Sequence, residues 1–240
     1  MQGSKADIIT RLQKEILLMQ GFRQPAMEEK EAGLSLISHA FPNATFPLAA
    51  IHEFFCNAAE EVSASSGFIS AILSSLMKKS GPTIWISSSP TLFPPALQAF
   101  GIDPSRIIFL HLKKEKEKLW AMEEVLKCDS IASVVGEINE ISLTESRRMQ
   151  LAVEQSRVTG FILRFQPKNL STTSVARWKI KPAATTATNL PGLGFPSWEV
   201  SLLKIRNGKP GTWRMEWKNQ QFQLVHQPLV VATAEERKIV

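Results

Sequence analysis

The stretch TIWISSSPTLFPPALQAFGIDPSRIIFLHL, residues 83–112, carries the pattern that decides the fold. Two short runs rich in isoleucine, leucine and aromatic residues flank a proline-containing segment that ends near Gly101. The outer runs predict β-strands at residues 83–89 and 106–112, and the segment between them predicts a short helix. A strand, a helix and a second strand joined this closely indicate a right-handed crossover between parallel strands.

The same alternation extends in both directions along the chain. Further strands are predicted at residues 51–55, 130–138 and 160–165, and further helices at residues 68–81, 113–128 and 142–157. After residue 166 the helical spacing stops, and strands are predicted near residues 198–206, 212–217 and 221–225. We therefore expect an α/β fold, with a mainly parallel sheet flanked by helices and a C-terminal antiparallel hairpin or meander at its edge.

The N-terminal residues predict a separate amphipathic helix. Residues 7–20 have helical spacing, and the charged residues 22–33 that follow are typical of a linker. The apolar stripe of this helix is expected to contact a partner or a second copy through Ile8, Leu12, Ile16 and Met19. The alternative is that the stripe folds back onto its own core. We expect residues 1–33 to form the helix and linker, residues 34–228 the core and residues 229–240 a tail.

Composition indicates a cytoplasmic protein without a membrane span. No apolar run approaches the roughly 18 residues that a spanning helix requires, and the charged N-terminal helix does not fit a signal peptide. The two cysteines, Cys56 and Cys128, form no CxxC pair and predict buried free thiols in a reducing compartment. The four histidines are scattered singly, so we expect no metal site.

Positive charge is concentrated in the C-terminal half. The chain has a net charge of +6, and the segment from Arg164 to Lys218 holds ten basic and two acidic residues, a local charge of +8. A field of one sign favours a polyanion such as DNA, whereas the alternative is that these residues are only the solvated faces of strands. The expected DNA contacts are Lys168, Arg177, Lys179, Lys181, Lys204 and Arg206.

Two features of this basic half have more than one interpretation. The hydroxyl-rich residues 168–190 predict either a DNA-contacting loop or a plain surface excursion. Three tryptophans, Trp198, Trp213 and Trp217, fit stacking on unpaired bases, and they equally fit the inward side of half-buried strands.

The segment after the first predicted strand, residues 56–69, is where a nucleotide phosphate binds in an open parallel sheet. A phosphate-binding loop needs several glycines, a lysine for the terminal phosphates and a serine or threonine for magnesium. Residues 56–69, which we predict to form a loop, contain one glycine, two adjacent carboxylates at Glu60 and Glu61, and no lysine. The sequence therefore predicts a segment that repels a triphosphate.

Several short motifs nevertheless resemble the RecA superfamily. Ser65-Ser66-Gly67 is similar to the residues that precede the phosphate-binding lysine, although Phe68 and then Ile69 follow here. At the end of strand 130–138, Gly136 and Glu137 stand where RecA proteins hold magnesium with an aspartate, and Gln166 resembles the glutamine that senses nucleotide. The resemblance implies a RecA-like core with a degenerate ATPase site, no cofactor and no enzymatic activity.

Two longer stretches resemble the ImuA family within that superfamily. They are PLAAIHEFF at residues 47–55 and WEVSLLKIRNGKPGTWRMEW at residues 198–217, and the resemblance covers roughly residues 34–225. It implies an accessory factor of the SOS response that acts in error-prone translesion DNA synthesis with an ImuB-like polymerase homologue and an error-prone polymerase. The alternatives are an ATP-binding repair or recombination ATPase with an atypical loop, and an SOS cell-division inhibitor.

Overall fold

The computed structural model describes residues 11, 12, 15, 33–78, 81–185 and 194–225. The strands are β1 (Ile51–Cys56), β2 (Thr83–Ser87), β3 (Ile107–His111), β4 (Ser133–Glu137), β5 (Thr159–Phe165), β6 (Ala176–Pro182), β7 (Ser197–Ile205), β8 (Gly211–Lys218) and β9 (Gln221–Leu224). The long helices of the core are α1 (Ala59–Leu76), α2 (Glu115–Leu126) and α3 (Leu143–Ser156). Short 3-10 helices span Ser35–Ala40, Pro42–Ala44, Pro94–Phe100 and Pro104–Arg106.

All nine strands belong to one sheet, in the order β3-β2-β4-β5-β1-β6-β7-β8-β9. In this order, every adjacent pair from β3 across to β6 is parallel. The pairs β6–β7, β7–β8 and β8–β9 are antiparallel. The predicted α/β fold, a mainly parallel sheet with antiparallel strands at its C-terminal side, is therefore confirmed. We call the β3-to-β1 part the parallel half and the β6-to-β9 part the antiparallel half.

Strand β6 was not expected, because residues 168–190 were predicted to be a loop. Within it Ala176, Trp178 and Ile180 are buried, and the basic residues between them point to the other side of the sheet. This alternation has the period of two that a strand requires. It is difficult to recognise in the sequence because the alternate positions are basic and the surrounding segment is polar. The loop prediction is therefore wrong for residues 176–182, and residues 186–193 lie outside the described part.

Helix α1 also begins earlier than predicted. Only Asn57 and Ala58 connect β1 to α1, so the prediction of a loop over residues 56–69 is wrong. Alanine and glutamate are good helix formers, and Glu60 and Glu61 in the first turn interact favourably with the positive end of the helix dipole.

The two faces of the sheet are covered differently. One face packs against α1 and the 3-10 helices along both halves, and its aromatic core includes Phe54, Phe68, Trp178 and Trp198. On the other face, α2 and α3 pack on the parallel half, over a second apolar cluster that includes Val134. The buried tryptophans Trp198 and Trp217 confirm the interpretation of half-buried strands. Trp213 is partly exposed and packs edge-on against His39.

Three further predictions concern the surface. Leu12 lies in a helical stretch and is 47% exposed, whereas Ile8, Ile16 and Met19 lie outside the described residues. Cys56 is a buried free thiol as predicted, but the prediction is wrong for Cys128, which is exposed in the turn after α2. Across the described ranges, no helix combines the length and the hydropathy needed to cross a bilayer.

Candidate functional site

The residues that the sequence predicts as functional lie mainly in two regions of the structure. The first is the edge of the parallel half where β1, β2, β4 and β5 end, which is the usual ligand site of an open parallel sheet. The second is the side of the antiparallel half opposite α1, which neither α2 nor α3 covers. A nucleotide would bind at the first region, the strand-end edge.

The connection between β1 and α1 is closed by its own carboxylate. The backbone N–H of Asn57 donates to Oε2 of Glu61 at 2.7 Å, and Oε1 of Glu61 lies 3.4 Å from Nζ of Lys179. Glu60 is exposed in the same helical turn. A phosphate approaching this helix end therefore meets two carboxylates, and the nearby ammonium group is already paired with one of them.

The predicted loop residues lie inside helix α1. Ser65, Phe68 and Ile69 are fully buried and Ser66 is 9% exposed. The hydroxyl of Ser65 contacts the Cys56 thiol at 3.5 Å, and burial raises the pKa of that thiol to about 11. These side chains are core residues of the helix.

Gly67 lies where helix α1 packs against the antiparallel half. A Cβ atom at this position would lie 3.4 Å from Cζ2 of Trp198, which is ordinary van der Waals contact. Gly67 therefore lies in helix packing and not in a turn around a ligand.

The residues at the ends of β4 and β5 are also engaged with the protein itself. Oε1 of Glu137 accepts a hydrogen bond from the Trp85 indole at 3.2 Å, and burial raises the pKa of Glu137. Gly136 packs beside Met122, whose sulfur would lie 2.8 Å from an added Cβ. The side-chain amide of Gln166 donates to the carbonyl of Asn57 at 3.0 Å. Gln166 thereby joins the end of β5 to the β1–α1 connection.

Lys118 is a cation at this edge, and it is almost fully buried. Its ammonium group donates to the carbonyl of Glu137 at 2.6 Å, to Oε1 of Glu115 at 2.7 Å and to the Ser88 hydroxyl at 3.1 Å. An ammonium group has three donors, and all three are used here. Lys118 therefore has no donor left for a phosphate unless this arrangement opens.

A small cavity lies beside the ends of β2 and β3. Its volume is about 240 Å³, which is below the roughly 300–1,000 Å³ typical of small-molecule sites, and Trp85, Phe93 and His111 are among its lining residues. Nδ1 of His111 lies 3.0 Å from the Ser87 hydroxyl. Over the described part of the chain, no three His, Cys, Asp or Glu side chains come together as metal ligands.

The second region is the open face, which we define as the side of β6, β7 and β8 that carries Lys179, Lys181, Glu199, Ser201, Lys204, Thr212 and Arg214. Nζ of Lys181 lies 3.5 Å from Glu199, and both side chains are 50% exposed. Lys204 and Thr212 are exposed, and the hydroxyls of Ser201 and Thr212 lie 3.0 Å apart. A cavity of about 480 Å³ lies over Lys181, Glu199, Thr212 and Arg214, with residues 182–184 at its side.

The structure places the six expected DNA contacts in three different environments. Lys179, Lys181 and Lys204 lie together on the open face. Lys168 and Arg206 follow the ends of β5 and β7, where the Lys168 N–H donates to Glu140 at 2.8 Å and the Arg206 side chain donates to the carbonyl of Thr173 at 3.0 Å.

Arg177, the sixth, belongs to a buried ion network that the sequence analysis missed. Its Nε lies 3.2 Å from Oε2 of Glu53, and Nη1 of Arg164 lies 3.4 Å from Oε1 of the same carboxylate. The hydroxyl of Ser174 donates to Glu53 at 3.1 Å, and the Arg177 guanidinium lies over the ring of Phe55. A glutamate within IHEFF and an arginine within FILRF were the available signal, because a charge in the middle of a buried strand needs a partner.

His52 occupies a second buried polar position, at the junction of the two halves. Its Nε2 lies 2.7 Å from the carbonyl of Pro47, and its Nδ1 lies 3.3 Å from the Trp178 indole nitrogen. The indole can only donate, so Nδ1 is the acceptor and Nε2 carries the proton. Burial lowers the pKa of His52 to about 4.

Comparisons with known proteins give a consistent relationship. No protein-family profile matches the chain. The chain is 30% identical over 194 residues to Protein ImuA from two strains of Caulobacter vibrioides, which covers 75% of this chain and 80% of that protein. SulA from Pseudomonas aeruginosa aligns with a TM-score of 0.41 and 18% identity over 50% of this chain and 99% of SulA, a likeness too weak to carry an argument. On the sequence identity and coverage, the chain belongs to the ImuA family.

Proposed function

We propose that this chain is a non-catalytic accessory factor of damage-induced, error-prone translesion DNA synthesis. It bridges an ImuB-like polymerase homologue and an error-prone polymerase, and it contacts DNA in the same assembly. Membership of the ImuA family supports the process, since that is the function which the resemblance of residues 47–55 and 198–217 implies.

The main observation in favour of a role without catalysis is the β1–α1 connection, whose backbone donor is already hydrogen-bonded within the protein. The N–H of Asn57 is held by Glu61, and Glu61 in turn lies against Lys179. Catalysis of phosphoryl transfer depends on cations and backbone donors that face the phosphates. At this edge the ammonium group of Lys118 is hydrogen-bonded within the protein, which favours a role without ATP turnover.

Titration with ATP and magnesium tests whether the protein binds or hydrolyses ATP. We expect no saturable heat in calorimetry up to millimolar ATP and no phosphate release above background. Saturable binding in the micromolar range, or turnover that a Lys118→Ala variant removes, would instead support the ATP-binding repair ATPase. A cooperative unfolding transition of the same sample shows that protein which binds no ATP is nevertheless folded.

The accessory role is tested in cells by deleting the gene and measuring ultraviolet-induced mutation frequency. We expect the deletion to remove most induced mutations and the wild-type chain to restore them. Induced mutagenesis that is unaffected by the deletion, with cell division altered instead, would contradict the proposal.

The partner surface is tested with a matched pair of variants on the N-terminal helix. Leu12 is exposed and belongs to the apolar stripe, whereas Arg11 lies 3.8 Å from Glu15 and belongs to the polar side. Leu12→Asp and Arg11→Gln each change the net charge by the same amount. We expect Leu12→Asp to reduce capture of the polymerase homologue or self-association, and Arg11→Gln to retain both.

A further inference from the structure

We propose that the open face binds the phosphodiester backbone of DNA. This inference rests on the proposed function, since it names the surface through which the accessory factor contacts the nucleic acid. It assigns that contact to one side of β6, β7 and β8, in place of the dispersed set of basic residues that the sequence predicted.

The first argument is the difference in coverage between the two sides of the antiparallel half. Ile180 is fully buried on the inner side of β6, whereas its neighbour Lys181 is 50% exposed on the outer side. Along β7, Val200 is buried and Glu199 is exposed in the same way. Among the described residues, the outer side of these strands is therefore exposed around Lys181, Glu199 and Lys204.

The second argument is the arrangement of charge across the strands. In the strand register, Lys181, Glu199 and Arg214 form one row, and Lys179, Ser201 and Thr212 form the next. Rows two residues apart are separated by about 7 Å along a strand. The two rows contain three cations and one carboxylate, and Glu216, the next residue on this side of β8, is buried.

Lys204 extends the basic surface beyond these rows. It is exposed and pairs with Arg177 in the register between β6 and β7. Among the residues that the structure describes, no carboxylate oxygen lies within 4 Å of its ammonium group. With Lys204 included, the open face carries four cations, of which Lys179 pairs with Glu61 and Lys181 with Glu199. Two positive charges remain in excess, and a polyanion is the partner with complementary charge.

The third argument concerns the kind of contact. Ser201 and Thr212 lie between the cations, and their hydroxyls contact each other at 3.0 Å. Serine and threonine hydroxyls commonly bind phosphate oxygens in protein–DNA interfaces. Of the four tryptophans of these strands, Trp178, Trp198 and Trp217 are buried on the opposite side. The half-buried Trp213 packs edge-on against His39 at the border of the cavity. We therefore infer binding that depends on the backbone charge and not on the base sequence.

The experiment compares two double charge reversals in the full-length chain. Lys181→Glu with Lys204→Glu alters the open face, and Lys113→Glu with Lys116→Glu makes the same change of charge at exposed positions beside α2. Binding to fluorescent single-stranded and duplex oligonucleotides is measured by anisotropy between 50 and 300 mM salt, concentrations that span roughly the range over which phosphate contacts weaken strongly. Unfolding midpoints confirm that all the variants are folded.

We expect the open-face variant to bind at least about tenfold more weakly, and its salt dependence on single-stranded DNA to fall by about 1.4 in slope, for two lost phosphate contacts. The α2 variant should remain close to wild type. Binding to either form of DNA with this pattern supports the inference. Equal losses in both variants, or no binding by the wild-type chain, overturns it.

The same proteins separate this inference from the proposed function. If the open-face variant still captures the polymerase homologue but wild-type binding to DNA is absent, only the DNA-binding surface is wrong. If partner capture and cellular mutagenesis are also absent in the wild-type protein, the accessory role itself fails. A Lys181→Gln and Lys204→Gln variant should lose less affinity than the charge reversal, which confirms a graded electrostatic effect.

Discussion

Arg177 and Lys181 lie four residues apart on the same side of strand β6, yet their environments differ. The Arg177 side chain is 13% exposed and contacts Glu53, the carbonyl of Leu170 and the hydroxyl of Thr172. Lys181 is 50% exposed and pairs with an equally exposed Glu199. Position in the strand pattern does not distinguish these two cations.

The segment that packs over a strand therefore determines whether a charged side chain on it is buried and paired or exposed to solvent. The segment at residues 170–174 lies over Arg177, so the guanidinium must find buried partners to offset the loss of water. The open face lies beyond α2 and α3, so Lys181 keeps its hydration and remains available to a polyanion. The same element thus contributes to internal stability at one end and to a surface for binding at the other.

This contrast predicts very different results when the two carboxylates are neutralised. Glu53→Gln leaves Arg164 and Arg177 without their shared anion, and we expect a loss of about 3–5 kcal/mol in the free energy of unfolding. Glu199→Gln, the matched control on the open face, should cost less than about 1 kcal/mol. Denaturant unfolding measures both, and similar small losses in the two variants would contradict the comparison.

A second test addresses the junction between the halves, where His52 accepts a hydrogen bond from Trp178. The folded-state pKa of about 4 lies below the unfolded value of 6.5, so the unfolded chain binds the proton first as the pH falls. The stability from neutral His52 is therefore complete above pH 6.5 and is lost toward pH 4, by about 3 kcal/mol in total.

The measurement is the free energy of unfolding between pH 7 and pH 4. His52→Gln should be less stable than the wild type at pH 7 but should show a smaller decrease across this range. An equal decrease in both proteins would show that other groups cause the pH dependence and would contradict a neutral, buried His52.

A third and smaller effect distinguishes a helix interior from a phosphate-binding turn. Gly67→Ala adds a methyl group in ordinary contact with Trp198, and alanine favours a helix, so we expect a gain of about 0.5–1 kcal/mol. Gly101 has a φ of +78° and a Cβ there would lie 2.8 Å from the Gln220 side chain, so Gly101→Ala should destabilise. Thermal unfolding of the two variants decides the point. Destabilisation by Gly67→Ala would contradict the helical packing.

Local patterns were sufficient for much of the architecture. Strands β1 to β5 are predictable because short runs of β-branched and aromatic residues alternate with helical spacing, as is typical of a parallel sheet covered by helices. The edge strand β3 is partly exposed, and its residue types still indicate a strand. The turns after residues 206 and 218 likewise indicated the antiparallel strands β7 to β9. The amino-acid order is enough for these features because period and turn chemistry depend on near neighbours.

Long-range pairing decided the rest. Residues 176–182 form a strand because β1 and β7 lie on either side of it, and Lys179 of this strand meets Glu61 of α1 only in the folded chain. The partnership of Glu53 with Arg164 joins residues 111 positions apart. Such contacts depend on which elements the fold brings together, so only the tertiary structure separates the buried cations from those on the open face.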